Sequence, residues 1–153
     1  MIDDVEAAIR AYLPDIIHLS LATSHDNIPW SSELHYVYDN ELNIYFRSLG
    51  SRRHSVELRS NAQVSGSIMK QHAIGELPRG IYFEGEAKEL QDVDEKHSAY
   101  LEYCKRFGTD ASILIDARKP DGHKFYMISV KKFYLFDGKE SQPGKKYELA
   151  WNR

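Results

Sequence analysis

Three alternating apolar runs, IIHLSLAT (16–23), PWSSELHYVYD (29–39) and LNIYFRS (42–48), follow one another with only short turns at 24–28 and 39–41 between them. A parallel crossover needs roughly a dozen residues or more. These runs must therefore pair as an antiparallel meander, and that requirement constrains the fold more than any other feature. Residues 2–13 precede them as an amphipathic helix, with Asp3 as its cap and Pro14 as its stop. After them the pattern predicts a short helix capped by Ser51 with Val56 and Leu58 inward, a strand over 63–71 and a loop over 72–80. A strand over 81–90, bent at Gly85, then leads to a helix over 92–108 stopped by Gly108, within which Cys104 reads as a buried structural thiol. Two further strands, KFYMISV and KKFYLFD, precede a polar tail with Trp151 as its one aromatic anchor. Six or seven antiparallel strands with peripheral helices favour a small barrel, because closure removes exposed edges. The fold class is thus mainly β with peripheral helices.

Composition narrows the function. A length of 153 residues, with 42% hydrophobic and 28% charged residues, is ordinary globular usage, and residues 1–153 read as one domain. Lys plus Arg is 20 against 23 Asp plus Glu, a net charge of −3, so no global field draws the chain to nucleic acid or to an anionic membrane. The single cysteine excludes an internal disulfide and a Cys-rich zinc site. With no secretory signal pattern in MIDDVEAAIRAYL and no long apolar span, it points to the cytoplasm. The seven histidines form neither HxH nor HExxH, so no metal site is assigned. No GxSxG elbow is present to anchor Ser/His/Asp catalysis. The ten tyrosines, six phenylalanines and two tryptophans exceed the needs of a small barrel interior, and Tyr36, Tyr38, Tyr82 and Tyr134 are candidates for an interface.

Two segments carry the chemistry. In RSLGSRRHS (47–55) a strand ends at Arg47 and Ser48, Gly50 allows a sharp turn, and a helix begins near Ser51. A helix start presents unpaired N–H groups and partial positive charge, and Arg52 and Arg53 add guanidinium forks suited to phosphate. A capped surface helix with solvated arginines has the same spacing. On the strand after Pro29, Trp30, Ser31 and Ser32 interrupt the apolar alternation; they suit either a flat ligand or the solvated face of a hairpin. In the tail, Lys145 and Lys146 near an aromatic could close over an anion or belong to a frayed end.

The segment LSLATSHDNIPWSSELHYVYDNELNIYFRSLGSRRHSVELRSNAQVSGSI, with RGIYFEGEAKEL and VKKFYLFDG after it, resembles the FMN-binding split-barrel superfamily, whose best-known member is pyridoxamine 5′-phosphate oxidase. The resemblance covers about residues 15–137, leaves 138–153 as a C-terminal tail, and looks most like a small bacterial subgroup. It implies a six-stranded antiparallel split β-barrel, a homodimer, and FMN bound between subunits for oxidoreductase chemistry on a small-molecule substrate. The alternative is a protein that binds flavin, deazaflavin or haem without catalysis, for carriage or sensing. By position, Arg47 and Ser48 fall near the flavin phosphate, Ser51, Arg52 and Arg53 on the phosphate motif, and Trp30, Ser31 and Ser32 on the strand lining the isoalloxazine. Gln71 corresponds to a polar residue reaching the cofactor. The chain departs from the family in having Asn61–Ala62 where Asn-Pro is common. Only Trp151 and Arg153 stand where a substrate-binding C-terminal segment would be, so oxidase activity on B6 vitamers is not expected.

Overall fold

Asp26 and Asn27 both adopt positive φ, 49° and 62°, the requirement of a tight two-residue hairpin turn. They join β1 (His18–His25) to β2 (Ile28–His35) in antiparallel register, His25 opposite Ile28 and His18 opposite His35. The chain is described by a computed structural model over residues 2–138 and 146–151. The strand expected over 29–39 is broken at Tyr36 into β2 and the two-residue β3 (Val37–Tyr38). There the Tyr36 N–H donates to the Ile17 carbonyl at 3.2 Å, and its hydroxyl donates to the Leu13 carbonyl, also at 3.2 Å. Asp39 then organises the next turn by accepting from the N–H groups of Glu41 and Asn43, and β4 (Ile44–Leu49) follows.

All pairings are antiparallel, in the order β2-β1-β5-β6-β7-β4-β3, with β5 at Gln63–Met69, β6 at Arg79–Glu89 and β7 at His123–Asp137. The two strands expected at 124–137 are one 15-residue strand. β7 pairs with β6 from Tyr126 to Asp137, with β4 from His123 to Ile128 and with β8 (Tyr147–Ala150) from Lys132 to Leu135. The irregularity expected at Gly85 is present: the register shifts between Glu84 and Gly85, leaving Lys131 as the extra residue on β7. The Lys131 carbonyl is satisfied by the Trp151 N–H at 2.7 Å. Among the described residues the sheet therefore has eight strands rather than six, because short β3 and β8 are added to the anticipated framework.

The helices depart from expectation at their starts. Asp4, not Asp3, caps α1 (Val5–Tyr12), accepting from the Ala7 N–H at 2.9 Å. α2 (Arg53–Ser60) buries Leu58 as anticipated but leaves Val56 50% exposed. α3 spans only Ser98–Phe107: the His97 ring accepts from the Ala99 N–H as its cap, so the acids of 92–95 lie before the helix. Gly108 ends it with φ 65°, as expected. Cys104 is half-buried, with the Thr109 hydroxyl at 3.7 Å from its sulfur. α4 (Ser112–Arg118), seven residues long, had no periodic signal of its own.

β4 and β7 are buried on both faces. Phe46, Tyr126 and Ile128 enter the barrel core with Leu19, Leu21, Phe83 and Phe133, whereas Tyr45 and Phe125 meet Tyr103, Ile113 and Leu114 beneath α3 and α4. Tyr36 is wholly buried in the first cluster, which removes it from the interface candidates; Tyr38, Tyr82 and Tyr134 are half-buried. Among the described residues no helix is long and apolar enough to cross a membrane.

Candidate functional site

The end of β4 leads directly into the best candidate. The Arg52 N–H donates to the Leu49 carbonyl at 3.1 Å and closes the turn, while Arg59 Nη2 holds the Gly50 carbonyl at 2.6 Å. A Cβ on Gly50 would stand 2.9 Å from that same nitrogen, so a side chain there would push the Arg59 guanidinium aside. Arg52 occupies the cap position of α2 and supplies no side-chain cap; Ser51 lies one residue earlier and does not cap either, contrary to expectation. The first N–H bonded within the helix belongs to Val56, accepted by the Arg52 carbonyl at 3.0 Å. The N–H groups of the first turn are thus open, beside two exposed arginines and an exposed serine.

Two hydrogen-bonded chains tie this turn to the sheet. His54 Nε2 lies 2.7 Å from Ser48 Oγ on β4, and its Nδ1 lies 3.1 Å from Ser32 Oγ on β2. Burial, then the charge of Arg52, holds the imidazole below its usual value of 6.5, and Glu57 opposes the shift. In the second chain the Thr23 hydroxyl donates to Glu57 Oε2 at 3.1 Å, and Arg53 Nε donates to Glu57 Oε1 at 2.9 Å. The Arg53 hydrogen bond holds the Glu57 carboxyl below its usual 4.5, reinforced by Thr23 and opposed by burial. Arg53 also lies over the Trp30 ring.

The sequence candidates therefore divide. Ser32, Ser48, Ser51, Arg52, Arg53 and Trp30 come together around the start of α2. Arg47 points to the other face of β4, where it pairs with Asp116 at 2.9 Å and lies over Phe125. Asp116 is kept below the usual carboxylate range by the His123 N–H first, against burial, with the His123 ring and Arg47 adding to it. Ser31 turns to the outer sheet face, in a hollow of about 440 Å³ shared with Ser20, Ser65, Ser67, Tyr82 and Lys146. Gln71 lines a separate hollow with Tyr12, Lys70, His72 and Arg79, remote from α2 within one chain. Lys145 and Arg153 lie outside the described residues. His54, Glu57 and Thr23 were not singled out from the sequence. His54 is one of seven scattered histidines, and nothing in its spacing marks the two serines that flank its ring.

Such a sheet, with a basic helix start at the end of β4, belongs to the split-barrel class. The sequence profile of the pyridoxamine 5'-phosphate oxidase family matches residues 5–137, and the chain is a member of that family. It is 30% identical over 106 residues to a UPF0306 protein of Yersinia pestis, covering 69% of this chain and 71% of that one. With a UPF0306 protein of Yersinia enterocolitica it shares 34% identity over 79 residues, 51% of this chain and about half, 53%, of that one. Among solved structures it resembles Campylobacter jejuni ChuZ, with a TM-score of 0.77 at 17% identity, covering 98% of this chain and 61% of that one. A heme binding protein from Mycobacterium smegmatis gives 0.73 at 15%, covering 98% and 60%. A FAD-binding protein from Mesorhizobium loti gives 0.62 at 21%, covering 83% and 88%. These structural likenesses concern the fold.

Proposed function

We propose that the protein is a cytoplasmic FMN-binding oxidoreductase, one split-barrel unit per chain, acting as a homodimer with the cofactor at the subunit interface. The observation that carries this reading is the uncapped start of α2, where open N–H groups stand beside the exposed side chains of Ser51 and Arg52. Such a start suits a phosphate monoester. Ser51, Arg52 and the first-turn N–H groups would hold the phosphate, with Arg53 adding charge from its place over Trp30. The backbone of 30–32 would lie along the ring system.

The dimer is supported by β2. It stands at one end of the strand order, and Ile28 and Trp30 are 59% and 41% exposed, a large apolar surface on an edge strand. Bound FMN would supply electron and hydride transfer, and the chain would bind, orient and exclude water. The reading does not extend to B6 vitamers. A second reading, a carrier or sensor of flavin, deazaflavin or haem without turnover, is favoured by the heme binding and FAD-binding names of two proteins that share the fold.

Five measurements test the reading. The absorption spectrum of purified protein distinguishes flavin, a Soret band or neither. Titration with FMN should quench flavin fluorescence, and no binding at micromolar concentrations overturns the proposal. Arg52→Ala should weaken FMN by about tenfold or more, the loss of one charge-assisted contact, and leave riboflavin unchanged. Equal losses for both ligands would show that Arg52 does not read phosphate. Reduction of the bound flavin by NADH or NADPH with turnover separates the oxidoreductase from the carrier, and light scattering checks the dimer.

A further inference from the structure

His54 sits where no backbone ladder closes the barrel. β2 ends the strand order on one side, β4 is next to last on the other, and no pairing joins the two. The imidazole spans that seam with Ser32 on one side and Ser48 on the other, its ring edge-on to Phe46 with centroids 6.1 Å apart. In the flavin reading above, on which this inference rests, β2 is the ring-side strand and the β4 end is the phosphate side. A neutral imidazole donates from one nitrogen and accepts at the other, so one of the two serines must give its hydroxyl hydrogen to the ring. An imidazolium donates from both nitrogens, both serine oxygens accept, and both hydroxyl hydrogens become free to turn elsewhere.

Few charges face this ring. Arg52 disfavours the charged form and Glu57, one turn along α2, favours it. β2 presents the uncharged Ser32, and β4 presents Phe46 and Ser48 while Arg47 pairs on the opposite face. From β1, Thr23 and His25 act on Glu57 rather than on the ring. A phosphate dianion placed on Arg52 would cancel the main opposing charge and add an attractive one.

We propose that His54 is a positioning residue that takes up one proton from solvent when a phosphate-bearing ligand docks at the start of α2. The imidazolium then clamps β2 to β4 with two donated hydrogen bonds, leaving both serine hydroxyl hydrogens free to turn toward the ligand. One N–H bond forms at the imidazole nitrogen that had been the acceptor, and no other co-reactant takes part. The phosphate's own second ionisation, near pH 6, moves protons in the opposite direction when the dianion is selected. Net proton release therefore does not report on His54, and its own titration must be followed.

The test is an NMR pH titration of the assigned histidine Cε1–H resonances of the wild-type protein. Four samples are compared: the free protein, and the protein with FMN, with riboflavin and with inorganic phosphate. The His54 midpoint should move up by more than about half a pH unit with FMN and stay in place with riboflavin. His54→Gln, which keeps a hydrogen-bonding amide without a titrating ring, should lose the corresponding gain in FMN affinity, which for a half-unit shift approaches about threefold once the pH lies below both midpoints. FMN bound with the His54 midpoint unmoved, or moved equally by riboflavin, overturns the proposal. If FMN does not bind, the flavin reading fails by itself and phosphate at about 50 mM decides the inference. A selective His54 shift upholds phosphate-linked protonation, and no shift ends it. Should His54→Gln fail to fold, the wild-type titration still decides.

Discussion

The guanidinium carbon of Arg53 lies 4.2 Å from the centroid of the Trp30 ring, so the first residue of α2 is stacked on the exposed edge strand β2. Arg53 simultaneously reaches Glu57, which is itself held by Thr23 of β1. A surface arginine on a short helix is thereby built into the link between helix and sheet.

That stacking should be measurable as a coupling. A double-mutant cycle of Trp30→Ala and Arg53→Met, followed by urea unfolding, is expected to give an interaction of about 0.5–1 kcal/mol, the range for a partly exposed cation–π pair. Strict additivity of the two substitutions would show that the contact contributes nothing in solution.

Acid should loosen the α2 attachment in two stages. His54 is held below 6.5, chiefly by burial, so the unfolded chain binds more protons than the native one as pH falls below 6.5. Its contribution is complete above pH 6.5 and declines from there down to its folded value. Glu57 is held below 4.5, chiefly by the Arg53 hydrogen bond, so its contribution is present above pH 4.5 and is lost as pH drops through its folded value. Urea midpoints measured from neutral to mildly acidic pH should fall, and His54→Gln should flatten the first stage. An unchanged slope in that variant would assign the loss to other groups.

Arg106 joins α3 to the end of α1. It donates to the Leu13 carbonyl at 3.2 Å and to the Ile16 carbonyl, and it stacks over Tyr36 at 4.8 Å. Arg106→Met keeps the aliphatic stem but leaves the Ile16 carbonyl without the guanidinium, while the Leu13 carbonyl keeps the Tyr36 hydroxyl, and should cost about 2–3 kcal/mol in chemical denaturation. A loss below half of that would mean that water replaces the guanidinium at little penalty.

The two tryptophans should behave oppositely. Trp151 is buried against Phe133, and its indole N–H donates to the Glu41 carbonyl at 2.7 Å. Trp151→Ala is expected to cost about 3–5 kcal/mol, whereas Trp30→Ala should cost under about 1 kcal/mol. Acrylamide should quench a Trp30→Phe protein, which reports on Trp151, only weakly. Quenching as strong as that of free tryptophan would contradict the docking of β8.

Much of the framework was legible because its signals are local. The short turns around Asp26 and Asp39 force antiparallel pairing, Gly85 marks the register shift between β6 and β7, and Gly108 ends α3 with left-handed φ. One signal about the site was also available in the sequence. Arg47 and Ser48 are adjacent on a strand, so they must face opposite sides, and only Ser48 faces α2. The helix start of α3 was misplaced because an acidic run imitates a helical first turn, whereas the His97 cap depends on ring geometry.

The sequence by itself determined an antiparallel meander with a basic helix start after its third apolar run, because alternation, turn residues and glycines act over a few neighbouring positions. Tertiary structure alone decided that 124–137 is one strand shared by β6, β4 and β8, and that Tyr36 belongs to the core. It also decided that His54 spans the seam between Ser32 and Ser48, 22 positions back and six positions back along the chain. The physical reason is that burial and hydrogen-bond partners are set by which strands meet across the sheet, and no local pattern of residues encodes that choice.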